Sequence, residues 1–161
     1  DGGGDGGGTV GDISIPDGQN MATMTVADGS AVLAAGDYEL ESIGFAPQRN
    51  QDEFYANFGQ SSETGVLRTL NFYGINRVGS FACGDQAKPD DDYALETAMD
   101  LKDYASGVFF DSQGAGSSCT LTVTHLDETT IEGRYTATLV GTTDASAQVN
   151  LEGEFRSHRA E

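Results

Sequence analysis

Apolar and polar residues alternate along most of this chain. Cys119, Leu121, Val123 and His125 fall on one face of an extended segment, with Thr120, Thr122 and Thr124 on the other. Ile131, Gly133, Tyr135, Ala137 and Leu139 alternate with Glu132, Arg134, Thr136 and Thr138. Ala147, Val149, Leu151, Gly153 and Phe155 alternate with Gln148, Asn150, Glu152 and Glu154. A period of two over such lengths marks strands with one face buried and one in water. Short connectors at Asp127-Glu128 and around Gly141 to Ala145 join the three into an antiparallel meander.

The first half repeats the pattern less regularly. Met21 to Val26, Tyr38 to Phe45, Phe54 to Phe58, Val66 to Tyr73 and Val78 to Phe81 read as strands, punctuated by Gly29, Gly36, Gly59, Gly65, Gly74 and Gly84. Asp92 to Tyr104 carries two signals. Tyr93, Leu95, Thr97, Met99 and Leu101 alternate as in a strand, while Ala94, Leu95, Glu96, Ala98 and Met99 are good helix formers. The strand is expected, because its neighbours are strands. About 8–10 short strands with regular turns predict an antiparallel β-sandwich, with a β-barrel as the alternative, ending in the three-strand meander. One domain is expected over residues 12–161, behind a Gly/Asp-rich tether at 1–11.

Composition narrows the function classes. Asp and Glu number 26 against 8 Lys and Arg, a formal charge of −18. That balance excludes nucleic acid as a partner, since such binding depends on cations that neutralise phosphates, and it disfavours anionic membrane surfaces. The carboxylates are spread along the chain, which fits a marine or halophilic habitat, where salt screens their repulsion, or a plain solvated surface. No apolar run approaches the ~18–20 residues of a spanning helix.

Cys83 and Cys119 are the only cysteines. An even count in a small, glycine-rich chain predicts a disulfide and an oxidising compartment.

Two stretches resemble a known group. Asp1 to Gly8 read Asp-Gly-Gly-Gly-Asp-Gly-Gly-Gly, like the spacer behind the lipidated cysteine of mature bacterial lipoproteins. Ile131-Glu132-Gly133-Arg134-Tyr135-Thr136-Ala137-Thr138-Leu139, followed by Gly153-Glu154-Phe155, is similar to the I-x-G-x-[FY]-x-A-x-L … G-x-F pattern that closes small all-β bacterial cell-surface lipoproteins. The resemblance implies a fold and a compartment, namely the cell surface or outer membrane, and no chemistry. Membrane attachment would run only through an inferred N-terminal lipid anchor.

A search for chemistry returns little. No nucleophile elbow is present, and His125 beside Asp127 and Glu128 reads as a strand-end histidine, so no catalytic residue is assigned. Asp85, Asp90, Asp91 and Asp92 make the best cation candidate, a weak Ca²⁺ loop of oxygen ligands weighed against a solvated acidic loop. No other cofactor is implied. Glu152 and Glu154 share an outward strand face, as do Glu39 and Glu41. The threonines at 120, 122, 124, 136 and 138 form an outer face that β-propensity explains, with an ice-ordering array as the rival reading.

The expectation is a non-catalytic, extracytoplasmic, surface-anchored interaction or structural module with a protein or cell-surface partner. Two alternatives stay open. One is a lipocalin-like carrier of small apolar ligands. The other is a filament subunit that self-assembles by β-strand addition, with Val10, Ile13 and Ile15 as the donor strand.

Overall fold

The computed structural model describes residues 13–27, 33–47, 53–85 and 96–159. They contain ten strands: β1 (Met21–Val26), β2 (Gly36–Pro47), β3 (Phe54–Ser62), β4 (Gly65–Ile75), β5 (Gly79–Ala82), β6 (Ala98–Asp103), β7 (Val108–Asp111), β8 (Ser118–Leu126), β9 (Thr130–Gly141) and β10 (Gln148–His158). No helix occurs among the described residues. The tether segment 1–11 and the donor-strand residue Val10 lie outside them.

Every strand pairing is antiparallel, and β10 pairs with both β9 and β1, so the order β1-β2-β3-β4-β6-β7-β9-β10 returns on itself. The architecture is therefore the barrel of the two expectations rather than the sandwich. β9 makes the closure work because it is long. One edge pairs with β10 from Thr130 to Val140. The other edge takes β8 from Ile131 to Thr138 and β7 at Val140 and Gly141. The wall between β6 and β9 is thus filled by β7 at one end and by β8 with β5 at the other. The turn after β5 also reaches β6, with Gly84 N–H donating to Thr97 O and Thr97 N–H to Asp85 O, both at 2.8 Å.

The strand reading of the ambiguous segment holds from Ala98 to Asp103, where Met99, Leu101 and Asp103 are buried and β4 and β7 flank the strand. Pairing on both edges outweighs the helix propensity of the alanines and Met99. Residues 92–95 lie outside the described segments.

Alternation sends Ala22, Met24 and Val26 of β1, Leu121 and Val123 of β8, and Val149, Leu151 and Phe155 of β10 inward. An eight-stranded barrel is just wide enough for side chains to fill it. Aromatic rings do so here: Phe72 stacks on Phe155 with centroids 4.6 Å apart, meets Tyr135 edge-on at 5.3 Å, and lies 6.0 Å from Phe58. The glycines of the C-terminal motif make room for two of these rings. Gly133 lies directly opposite Phe155, and Gly153 directly opposite Tyr135. A Cβ at Gly133 would stand 2.9 Å from the Phe155 ring and 2.5 Å from the Thr122 carbonyl oxygen. One end of the interior is polar: Arg68 donates to Asp103 at 3.0 Å, bonds Gln60, and lies over the Tyr38 ring.

Candidate outer-wall groove

The outward residues of β1, β10, β9 and β8 line up in rows across the wall, because antiparallel partners in register share a face. The central row is Thr25, Glu152, Thr136 and Thr120, each opposite the next. A second row contains Glu154, Arg134 and Thr122, continued by Ser80 of β5. A third contains Asn150, Thr138 and Ser118. Together they line a shallow groove. One lobe has a volume of about 440 Å³ and is bordered by Thr23, Thr122 and Arg134, and the adjoining lobe, of about 310 Å³, by Ser118, Thr138 and Asn150. Thr120, Thr136 and Glu152 line both lobes.

Both flanking rows contain internal bonds: Thr138 donates to Asn150 Oδ1 at 2.7 Å, and the Ser80 and Thr122 hydroxyls share a bond of 2.8 Å. At the end of the central row Thr25 donates to Asp37 of β2 at 2.8 Å. Thr23 Oγ1 accepts from Glu154 N–H at 3.0 Å. In contrast, the side chains of Thr120, Thr136 and Glu152 are exposed and have no hydrogen-bond or ion-pair partner among the described residues. Tyr135 lies beneath the groove. Burial, with a smaller contribution from the Glu152 charge, pushes its phenol well above the usual range, so it stays a neutral donor.

Residues 13–19 bound one side of this wall. Ser14 bonds Glu154 through both its N–H and its hydroxyl. Arg156, 7% exposed, donates to Glu132 at 2.9 Å and to the carbonyls of Ile15 and Pro16 at 3.1 and 2.7 Å. Ile15 is buried against its own barrel. Of the donor-strand candidates, Ile13 and Ile15 therefore lie in an irregular segment that packs in cis, without strand geometry.

The other sequence candidates are scattered. Cys83 and Cys119 are joined, with Cα atoms 5.1 Å apart, and fasten the exit of β5 to the start of β8. Asp85 closes a turn by accepting from Ala82 N–H at 3.0 Å, whereas Asp90, Asp91 and Asp92 lie outside the described residues, so their grouping as a Ca²⁺ loop has no geometry here. Among the described residues no group of three or more His, Cys, Asp or Glu side chains is placed to hold a metal ion. His125 does meet Asp127, at 2.7 Å, but both side chains are about half exposed at the β8–β9 turn. Asp127 is occupied by that turn. The N–H of Thr129, then His125 and the Thr129 hydroxyl, hold its carboxyl well below the usual range.

The threonine alternation in β8 and β9 was the sequence signal for this wall. Thr23 and Thr25 were missed because their place beside those threonines depends on barrel closure, which brings β1 next to β10; Arg134 stands on the same outward face of β9 as Thr136 and Thr138, opposite Thr122. No protein-family model, curated protein or solved structure matches this chain.

Proposed function

We propose that this protein is a non-catalytic, extracytoplasmic interaction module, anchored at a cell surface on its N-terminal side, that works through the outer wall of its barrel. The observation that carries this reading is the division of chemistry between the two sides of the wall. A carrier of the lipocalin type keeps space inside for its ligand. Here Phe58, Phe72, Phe110 and Phe155 are fully buried in that space, packed with Met24, Leu70, Met99 and Leu101. The groove with unpartnered polar groups is on the outside.

Three further features support the reading. The cysteine pair suits an oxidising compartment. Residues 13–19 dock on their own barrel, which favours a single tethered domain over a subunit that lends this segment to a neighbour. Among the described strands the sheet ends at β5, which is only four residues long and whose Ala82 N–H is capped by Asp85, so it is a poor template for strand addition. The lipid anchor itself rests on the likeness of Asp1 to Gly8 to a lipoprotein spacer.

Equilibrium dialysis against a long-chain fatty acid tests the reading. The expected result is no saturable one-to-one uptake. Stoichiometric uptake that shields the interior aromatic rings from an added quencher would make the protein a carrier and overturn it.

A further inference from the structure

Resting on that reading of the wall, we propose that the groove takes an uncharged, polyhydroxylated ligand, a neutral oligosaccharide, held by the row Glu152, Thr136 and Thr120. These three side chains are shared by both lobes, and their polar groups are unpartnered among the described residues, while the neighbouring hydroxyls of Thr25, Thr122 and Thr138 are hydrogen-bonded. Such a row asks for a particular partner. An ionised Glu152 only accepts hydrogen bonds, and each threonine hydroxyl both donates and accepts. Two neighbouring hydroxyls of a sugar supply both donors for one carboxylate, and the next sugar oxygens meet hydroxyls that take either role. The threonine methyls beside them present small apolar spots to the C–H faces of the ring.

Charge sorts the rival ligands. A formal charge of −18 repels polyanions. Arg134 lies opposite Glu154 in the groove and offsets one of its two carboxylates, so a cationic ligand is the rival that the tetralysine arm below tests. A lining of hydroxyls and charged groups, with no exposed ring, offers an apolar ligand little.

The test is amide-resolved NMR of the isotope-labelled protein titrated separately with glucose-, mannose- and galactose-based tetrasaccharides and with tetralysine. At least one tetrasaccharide is expected to shift the amides of Thr120, Thr136 and Glu152, equally at about 0.1 M and about 1 M salt, because no net charge is recruited. Thr120→Val and Thr136→Val keep the β-branched shape and remove one hydroxyl each. Either is expected to weaken binding about fivefold while leaving the melting temperature within a degree or two. If no tetrasaccharide moves these amides, or if tetralysine moves them and is released by salt, the ligand class is wrong. That failure is distinct from failure of the wall reading, which shows as fatty-acid shifts at Phe58, Leu70 and Phe72.

Discussion

The Tyr135 hydroxyl donates to the carbonyl oxygen of Thr23 at 2.9 Å, from the inner face of β9 into the seam between β10 and β1. The ladder is interrupted there: Ala22 pairs with Phe155 and Thr25 with Glu152, and between them Glu154 N–H turns to the Thr23 hydroxyl. Gly153, directly opposite Tyr135, makes the approach feasible, since a Cβ at that position would overlap the Thr23 oxygen and stand 3.0 Å from the phenol. Tyr135→Phe keeps the ring and leaves that carbonyl without its donor, at an expected cost of about 1–3 kcal/mol. Gly153→Ala is expected to cost more, because the seam itself must open. Chemical denaturation measures both, and a neutral Gly153→Ala would contradict this account of the seam.

Arg156 is the residue that fixes the N-terminal segment. Its guanidinium reaches Glu132 and the backbone carbonyls of Ile15, Pro16 and Gln19 at once, a planar fork that an ammonium does not reproduce. Arg156→Met is expected to lose about 1.5–3 kcal/mol, and Arg156→Lys to recover little of it. Limited proteolysis is expected to cut between residues 13 and 20 faster in both variants. Unchanged cleavage in Arg156→Met would mean that Ile15 burial alone holds the segment.

The Cys83–Cys119 link closes a separation of 36 residues. Replacing both by serine is expected to remove roughly 4 kcal/mol in the chain-entropy account. Hydrogen exchange is expected to rise first in β5, whose four residues pair only with β8 among the described strands. Intact mass with and without reductant checks the link directly, as a gain of about two hydrogens on reduction.

Acid should weaken the β8–β9 turn. The Asp127 carboxyl is held below its ordinary value by the turn N–H of Thr129 and by His125, so its contribution to stability is complete above the unfolded carboxyl value near 4 and fades as pH falls below it. Asp127→Ala should therefore be destabilising at neutral pH, with the difference from the parent shrinking in acid. Asp100 carries the opposite sign. Burial raises its carboxyl, which opposes the charged form at neutral pH even though Asn71 donates to it at 2.6 Å. Asp100→Asn should raise the melting temperature at pH 7 and lose that advantage on acidification. Parallel melting curves for Asp127→Ala and its parent at all pH values would contradict the first assignment.

The strands were legible because alternation is a local property. Met21–Val26 falls on the residues expected, and the meander of β8, β9 and β10 follows from turns at Asp127 and Gly141. Closure was not legible to the same degree. Whether β1 meets β10 or packs across from it is decided by edge pairing, here Ala22 with Phe155 and Val26 with Leu151, while the inward alternation of either strand is identical in a sandwich. The C-terminal motif had a physical reason that spacing alone could not supply: each glycine lies opposite an aromatic ring two residues along the partner's motif. The candidate groove was half visible. Its threonines stood out in β8 and β9, but the open row needed the partners of every neighbouring hydroxyl to be known.

The most direct measurement of the central claim is a crystal soaked at once with a neutral tetrasaccharide and a long-chain fatty acid, so that wall and interior compete for their own ligands in one experiment. The account predicts sugar density against Thr120, Thr136 and Glu152, and none among Phe58, Phe72 and Phe155. A fatty-acid chain threaded between those three rings, with the outer wall bare, would contradict it.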